Sequence, residues 1–343
     1  MKKLKSKPKQ IVKKLLSVLP ERTRDVLVSR YGLDKDSERS TLEKIGKKYG
    51  ITRERVRQIE NYALSSIKKS DQFKKEAAIF EELDGIIKEL GGIVAEEELL
   101  ASLSKDKGMQ NHIHLLLVLG DKFKKEKEDE HFHHRWHIDE KLAKQVHEAL
   151  MKLYKNLTDD DLISELDIIA AFLGHIEEVD ESYKKEEIVR RWLNMSKGIG
   201  KNPLGEWGKA TSPNVRSKGM RDYAFLVIRR HGSPIHFREV AKEIEKTFGR
   251  KAHVATTHNE LIKDPRFVLV GRGLYALSEW GYASGVVKDV IRNVISKNGP
   301  LTKDEIIDKV LKERYVKENT ILVNLQNNKF FKKDSDGRYM VLK

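Results

Sequence analysis

The 343-residue sequence has no cysteine, which excludes disulfides and thiolate zinc sites. Long apolar runs are missing too. Stretches such as Leu115–Leu119 fall far short of the ~20 residues needed to cross a bilayer, so no membrane partner is expected. The N-terminal MKKLKSKPKQIVKKLL is basic, but lysines interrupt its apolar stretch and no small-residue cleavage site follows, so it does not read as a secretory signal. The cytoplasm is the expected location. What is present is 39% hydrophobic and 35% charged residues, enough for several small cores and too polar for one large one.

The formal net charge of +14 is unevenly placed. Residues 1–75 hold 22 Lys+Arg against 9 Asp+Glu (+13), residues 76–215 hold 19 against 29 (−10), and residues 216–343 hold 26 against 15 (+11). A head of that basic density suits a phosphate backbone, where each neutralised phosphate releases counterions. The acidic middle should avoid DNA, and its opposite sign raises the expectation that it folds back on the head.

In the head, Ile11 to Leu19 reads as a short helix, and Pro20 opens a second, Glu21 to Tyr31, which Gly32 closes. Thr41 to Tyr49 is a third, with Leu42 and Ile45 inward, and Gly50 supplies the tight turn of a helix-turn-helix. Thr52 caps a long helix in which Val56, Ile59, Ala63 and Ile67 share one face. Glu54, Gln58 and Asn61 lie on the opposite face, flanked by Arg57, with Arg53 and Arg55 in the first turn. Arg, Gln and Glu match the paired donors and acceptors of base edges in the major groove. Arginines in a first turn oppose the helix dipole, a cost that makes sense when phosphate or guanine is the partner.

The segments LPERTRDVLVSRYGL, TLEKIGKKYGITRERVRQIE and NYALSSIKK resemble the successive helices of region 4 of the sigma-70 family, with Thr52 to Glu60 the most specific part. The resemblance implies that Arg53, Glu54 and Gln58 read the promoter −35 element, that Arg55 and Arg57 support them, and that Leu42, Lys44 and Lys47 lie near the DNA backbone. It covers about a fifth of the sequence, and no segment resembles the −10-reading and promoter-melting region of a complete sigma factor.

Beyond residue 215 an internal pattern repeats. Tyr223 to Arg230, Phe237 to Phe248 and Thr256 to Ile262 read as helices leading to Phe267–Val270 and Gly273–Leu277. Val286 to Ser296, Lys303 to Arg314 and Thr320 to Gln326 repeat this order before Phe330–Phe331 and Gly337–Leu342. Three helices and two short strands form the order of a winged helix. PIHFREVAKEI through FVLVGRGLYALSEWGY resembles the HARE-HTH family, a winged-helix module also found in the RNA polymerase delta subunit. That likeness implies contact with polymerase or nucleic acid.

The acidic middle reads as two degenerate units of the same kind. Phe80 to Leu90, Glu96 to Leu103 and Ile113 to Leu119 would be helices of the first, with Phe132 and Trp136 where a wing could end. Leu142 to Tyr154, Thr158 to Leu166 and Glu186 to Leu193 would be helices of the second, and Gly198 to Gly219 a long wing or linker. The expected fold is therefore mainly α with short β-wings: a helix-turn-helix over 1–75, then winged-helix-like segments over 76–140, 141–215, 216–283 and 284–343.

Two motifs compete with this reading. GIGKNPLGEWGKAT (198–211) approaches a phosphate loop, but Walker spacing needs Gly at Pro203 and Ser or Thr at Ala210. His131, His133, His134 and His137 could hold a metal if helical, whereas a solvated wing explains the same residues. No clustered carboxylates with a strand lysine suggest a nuclease. The expectation is a non-enzymatic regulator with no cofactor, metal or small-molecule substrate, whose partners are double-stranded promoter DNA and core RNA polymerase. The competing class is a polymerase-bound adaptor or inhibitor that displaces the resident sigma factor.

Overall fold

Thr41 and Thr52 start two successive helices by the same device. In the computed structural model, which describes residues 4–176, 179–282 and 285–342, Thr41 Oγ1 accepts the Lys44 N–H at 3.2 Å and Thr52 Oγ1 accepts the Arg55 N–H at 3.1 Å. The head comprises α1 (Pro8–Leu16), α2 (Glu21–Tyr31), α3 (Leu42–Tyr49) and α4 (Arg53–Lys69). α1 begins at Pro8 rather than Ile11, because a first-turn proline gives up an N–H that has no intrahelical partner anyway. It ends at Leu16 rather than Leu19. A short α5 (Asp71–Lys75) leads onward.

One arrangement then occurs four times among the described residues: a helix, an extended segment, two helices and a hairpin. The first module has α6 (Ala77–Glu89), β1 (Ile93–Ala95), α7 (Glu96–Leu103), α8 (Lys107–Leu119), β2 (Lys124–Glu126) and β3 (Arg135–His137). The second has α9 (Glu140–Asn156), α10 (Glu165–Leu173), α11 (Glu186–Met195), β4 (Ile199–Lys201) and β5 (Trp207–Lys209). The third has α12 (Met220–His231), β6 (Ile235–His236), α13 (Phe237–Phe248), α14 (Val254–Lys263), β7 (Phe267–Leu269) and β8 (Leu274–Leu277). The fourth has α15 (Val287–Asn298), α16 (Lys303–Glu313), α17 (Glu318–Leu325), β9 (Phe331–Lys333) and β10 (Tyr339–Val341).

The last strand is central each time. β3 lies between β1 and β2, and β8 between β6 and β7, all antiparallel. β5 pairs with β4 and is bridged by Ile163, while β10 pairs with β9 and is bridged by Leu301. This is the winged-helix order, so the expected fold class is the one found. One helix differs: Thr158 to Leu166 is not helical at its start. Thr158 N–H is held by Asp161 Oδ2 at 2.6 Å, Ile163 is spent on the bridge, and Ser164 caps α10 through the Asp167 N–H at 3.2 Å.

The chain divides into two compact units, 1–200 with 207–211 and 201–206 with 212–343. In the first, Ile11, Leu15, Leu27 and Tyr31 of the head share one core with Leu83, Ile87 and Leu115–Leu117 of the first module. α8 therefore buries nearly every side, and the back of the head is closed by it. Ion pairs rim this seam, from Lys9 to Asp106 (3.0 Å), Lys14 to Glu76 (3.0 Å) and Lys68 to Asp121 (2.7 Å). A second core around Phe172, Trp192 and Trp207 fills the second module. In the second unit, Arg266 ties the third module together by reaching Asp222 Oδ1 at 3.0 Å, Asp264 Oδ2 at 2.7 Å and Asn214 Oδ1 at 3.0 Å. No helix among the described residues is long and apolar enough to cross a membrane.

Candidate nucleic-acid interface

The angle between α3 and α4 is set by a small core of Val26, Ile45 and Val56, against which Leu42, Tyr49, Ile51 and Ile59 pack. Gly50 makes the turn with φ of 63°, in the left-handed region. Gly46 makes the close approach, since a Cβ there would lie 2.6 Å from the Ile51 carbonyl oxygen. Sequence reasoning found the first glycine and missed the second.

Rotation of α4 about its axis is fixed from behind. Glu60 accepts from Arg30 Nε at 3.4 Å and takes the phenol of Tyr31, whose pKa is raised by burial and by this carboxylate. Arg30 also holds the Ser40 carbonyl at 3.1 Å, and Arg39 Nε reaches Asn111 Oδ1 at 2.8 Å. These two arginines of the basic head are thus committed to structure.

The outward face carries the rest. Arg53, Glu54, Arg55, Arg57, Gln58 and Asn61 are all exposed, and Tyr62, which sequence reasoning did not single out, extends the row at 60% exposure. Arg57 grips Glu54 with two bonds, Nε to Oε2 at 2.9 Å and Nη2 to Oε1 at 2.6 Å, which holds the Glu54 carboxyl below the usual range. Arg55 Nη1 donates to Gln58 Oε1 at 3.0 Å. Arg53 makes no hydrogen bond or ion pair among the described residues. A shallow depression at the turn brings Lys47, Arg53 and Arg55 around the N-terminal end of α4, where unpaired backbone N–H groups and the helix dipole favour an anion. Lys47 is paired with Glu43 at 3.0 Å, Lys44 is exposed, and Leu42 is half-buried against the small core.

The two competing motifs resolve into ordinary structure. Residues 198–211 carry the β4–β5 hairpin, with Ala210 N–H on the Gly198 carbonyl at 2.8 Å, and no helix follows a loop there. Of the four histidines, His137 is on a strand and buried, while His131, His133 and His134 precede it in extended chain, so helical spacing does not apply. Among the described residues, no group of three or more His, Asp or Glu side chains is placed to hold a metal.

The architecture is that of a helix-turn-helix reader joined to winged-helix modules, both DNA-binding classes of domain. Residues 15–69 match the family model for sigma-70, region 4, and residues 219–280 match that for the HARE-HTH domain, the ASXL and restriction endonuclease HTH domain. The chain is 49% identical over 55 residues to the RNA polymerase principal sigma factor HrdD of Streptomyces viridifaciens, which is 16% of each protein. It is 43% identical over 67 residues to the RNA polymerase sigma factor SigA of a Bacillus species, covering 20% of this chain and 18% of that one. It is 54% identical over 54 residues to the RNA polymerase sigma factor SigA1 of Synechococcus elongatus, covering 16% and 13%. The chain thus spans less than a fifth of the length of these relatives, and the likeness is confined to the head.

Proposed function

We propose that this is a non-enzymatic transcription protein of the cytoplasm that reads −35-like promoter DNA through α4 and contacts RNA polymerase. The observation that carries the reading is the row Arg53, Glu54 and Gln58, exposed on a helix pinned from behind by Glu60, within a segment matching sigma-70 region 4. In this reading those three side chains meet base edges, and Arg55, Arg57, Lys44 and Lys47 hold phosphates. Leu42 supports the start of α3 close to the backbone of the DNA. The names of the relatives, all RNA polymerase sigma factors, support the polymerase as second partner.

The test is binding of the full chain to duplexes with and without a −35-like hexamer, across a salt series, with and without core polymerase. Specific binding without polymerase is expected, and Arg53→Ala with Gln58→Ala should cost ~1–3 kcal/mol per good base contact and relax specificity. Binding that appears solely with polymerase and survives the double substitution would replace this reading with the adaptor that competes with a resident sigma factor.

A further inference from the structure

Where the two modules of the second unit meet there is a groove of about 500 Å³, within the size range of small-molecule sites. Leu269, Val270 and Leu274 line it from the third module, and Val287 and Val316 from the fourth. Its charged lining is of one sign: Arg272, Arg314 and Lys317, with no acidic residue among the described ones.

Arg314 follows α16 and is only 5% exposed. Its Nη1 donates to the Leu269 carbonyl, and the neighbouring Tyr315 N–H donates to the Val270 carbonyl at 3.0 Å, which stitches the two modules together. Arg314 Nε is buried with no partner. Asp289, whose charge acts on Arg314, makes no ion pair with it and is spent capping the Val286 N–H at 3.2 Å. A buried guanidinium with one neutral acceptor and an open donor is costly, and a carboxylate is the group whose two oxygens match its fork.

We propose that this groove binds a small amphipathic carboxylate, the head group pairing with Arg314 beside the cations Arg272 and Lys317, and the apolar body covering Leu269 and Val287. The site is independent of the DNA reading, since all of it lies in the second unit. A ligand seated there touches both modules at once, so its occupancy stiffens the joint between them.

The experiment is calorimetric titration of the full chain with octanoate, with octanol as the uncharged match and acetate as the charge without a body. Octanoate should saturate a single site, and the other two should not saturate over the same range. Lys317→Glu, at an exposed position, should weaken octanoate roughly fivefold or more. Arg314→Gln should abolish saturation while a cooperative unfolding transition persists. No saturation by octanoate, equal affinity for octanol, affinity untouched by Lys317→Glu, or saturation only by an acidic leucine-containing peptide would each overturn the proposal.

Discussion

The side-chain amide of Asn111 donates to the carbonyl oxygen of Gly32 at 2.9 Å, joining the middle of α8 to the end of α2 across 79 positions of sequence. The same amide nitrogen reaches the Ser37 carbonyl at 3.0 Å, and its oxygen accepts from Arg39. The loop that carries the chain from α2 into the helix-turn-helix is therefore held by one buried side chain of the first winged module. Asn111→Ala should destabilise the first unit by about 1–3 kcal/mol, since two carbonyls and a guanidinium lose their partner. Urea unfolding measures this, and a change under about 0.5 kcal/mol would show that the contact does not matter.

His147 gives the first unit a dependence on pH. Burial, reinforced by the Arg135 guanidinium, pushes its pKa down to about 4, against the opposing pull of Glu126 and Asp129. The folded chain keeps the imidazole neutral, with Nε2 accepting from Arg135 Nε at 2.7 Å, whereas the unfolded chain takes a proton below about pH 6.5. Stability from this group is thus full above pH 6.5, falls as pH drops toward 4, and is flat below. His147→Gln keeps an acceptor for Arg135 and removes the titration. Its urea midpoint should fall less between pH 7.5 and pH 4.5 than that of the unaltered protein, and parallel curves would rule out the assignment.

How much of this could be read from sequence depended on how many surfaces buried each element. α4 has one packed face, so Val56, Ala63 and Ile67 recur at helical spacing and leave the reading face in plain view. α8 is packed between the head and its own module, and its HIHLLLVL has no polar side to reveal what it touches. Ile163 and Leu301 act as single bridged residues, too short for any alternation to show. The histidine cluster misled for a related reason. Trp136 is fixed at the centre of a strand, its Nε1 donating to Glu96 Oε2 at 2.8 Å, and that partner lies forty positions away.

The two glycines of the turn should respond differently to substitution. A Cβ at Gly50 would meet nothing within 4 Å, and the position needs only its left-handed backbone, which Asn tolerates, so Gly50→Asn should change stability little. Gly46→Ala forces its Cβ against the Ile51 carbonyl oxygen, and relief requires α3 and α4 to part. The expected cost is about 1–3 kcal/mol, together with loss of DNA affinity beyond what unfolding explains. Thermal melts and duplex binding of both variants decide it, and equal behaviour of the two would refute the close-approach argument.

Glu54 and Arg57 occupy each other on the reading face, so the free protein presents a closed pair where the proposed complex needs two separate contacts. Glu54→Ala removes an acceptor suited to the amino group of cytosine and releases Arg57 for phosphate. Discrimination between promoter-like and unrelated duplex should fall, while affinity for unrelated duplex rises, because an anion has left the interface and a cation has been freed. The salt dependence should steepen by up to about 0.9 in log–log slope, the increment for one more neutralised phosphate. A parallel loss of affinity for both duplexes with an unchanged slope would instead mean that the pair merely orders α4.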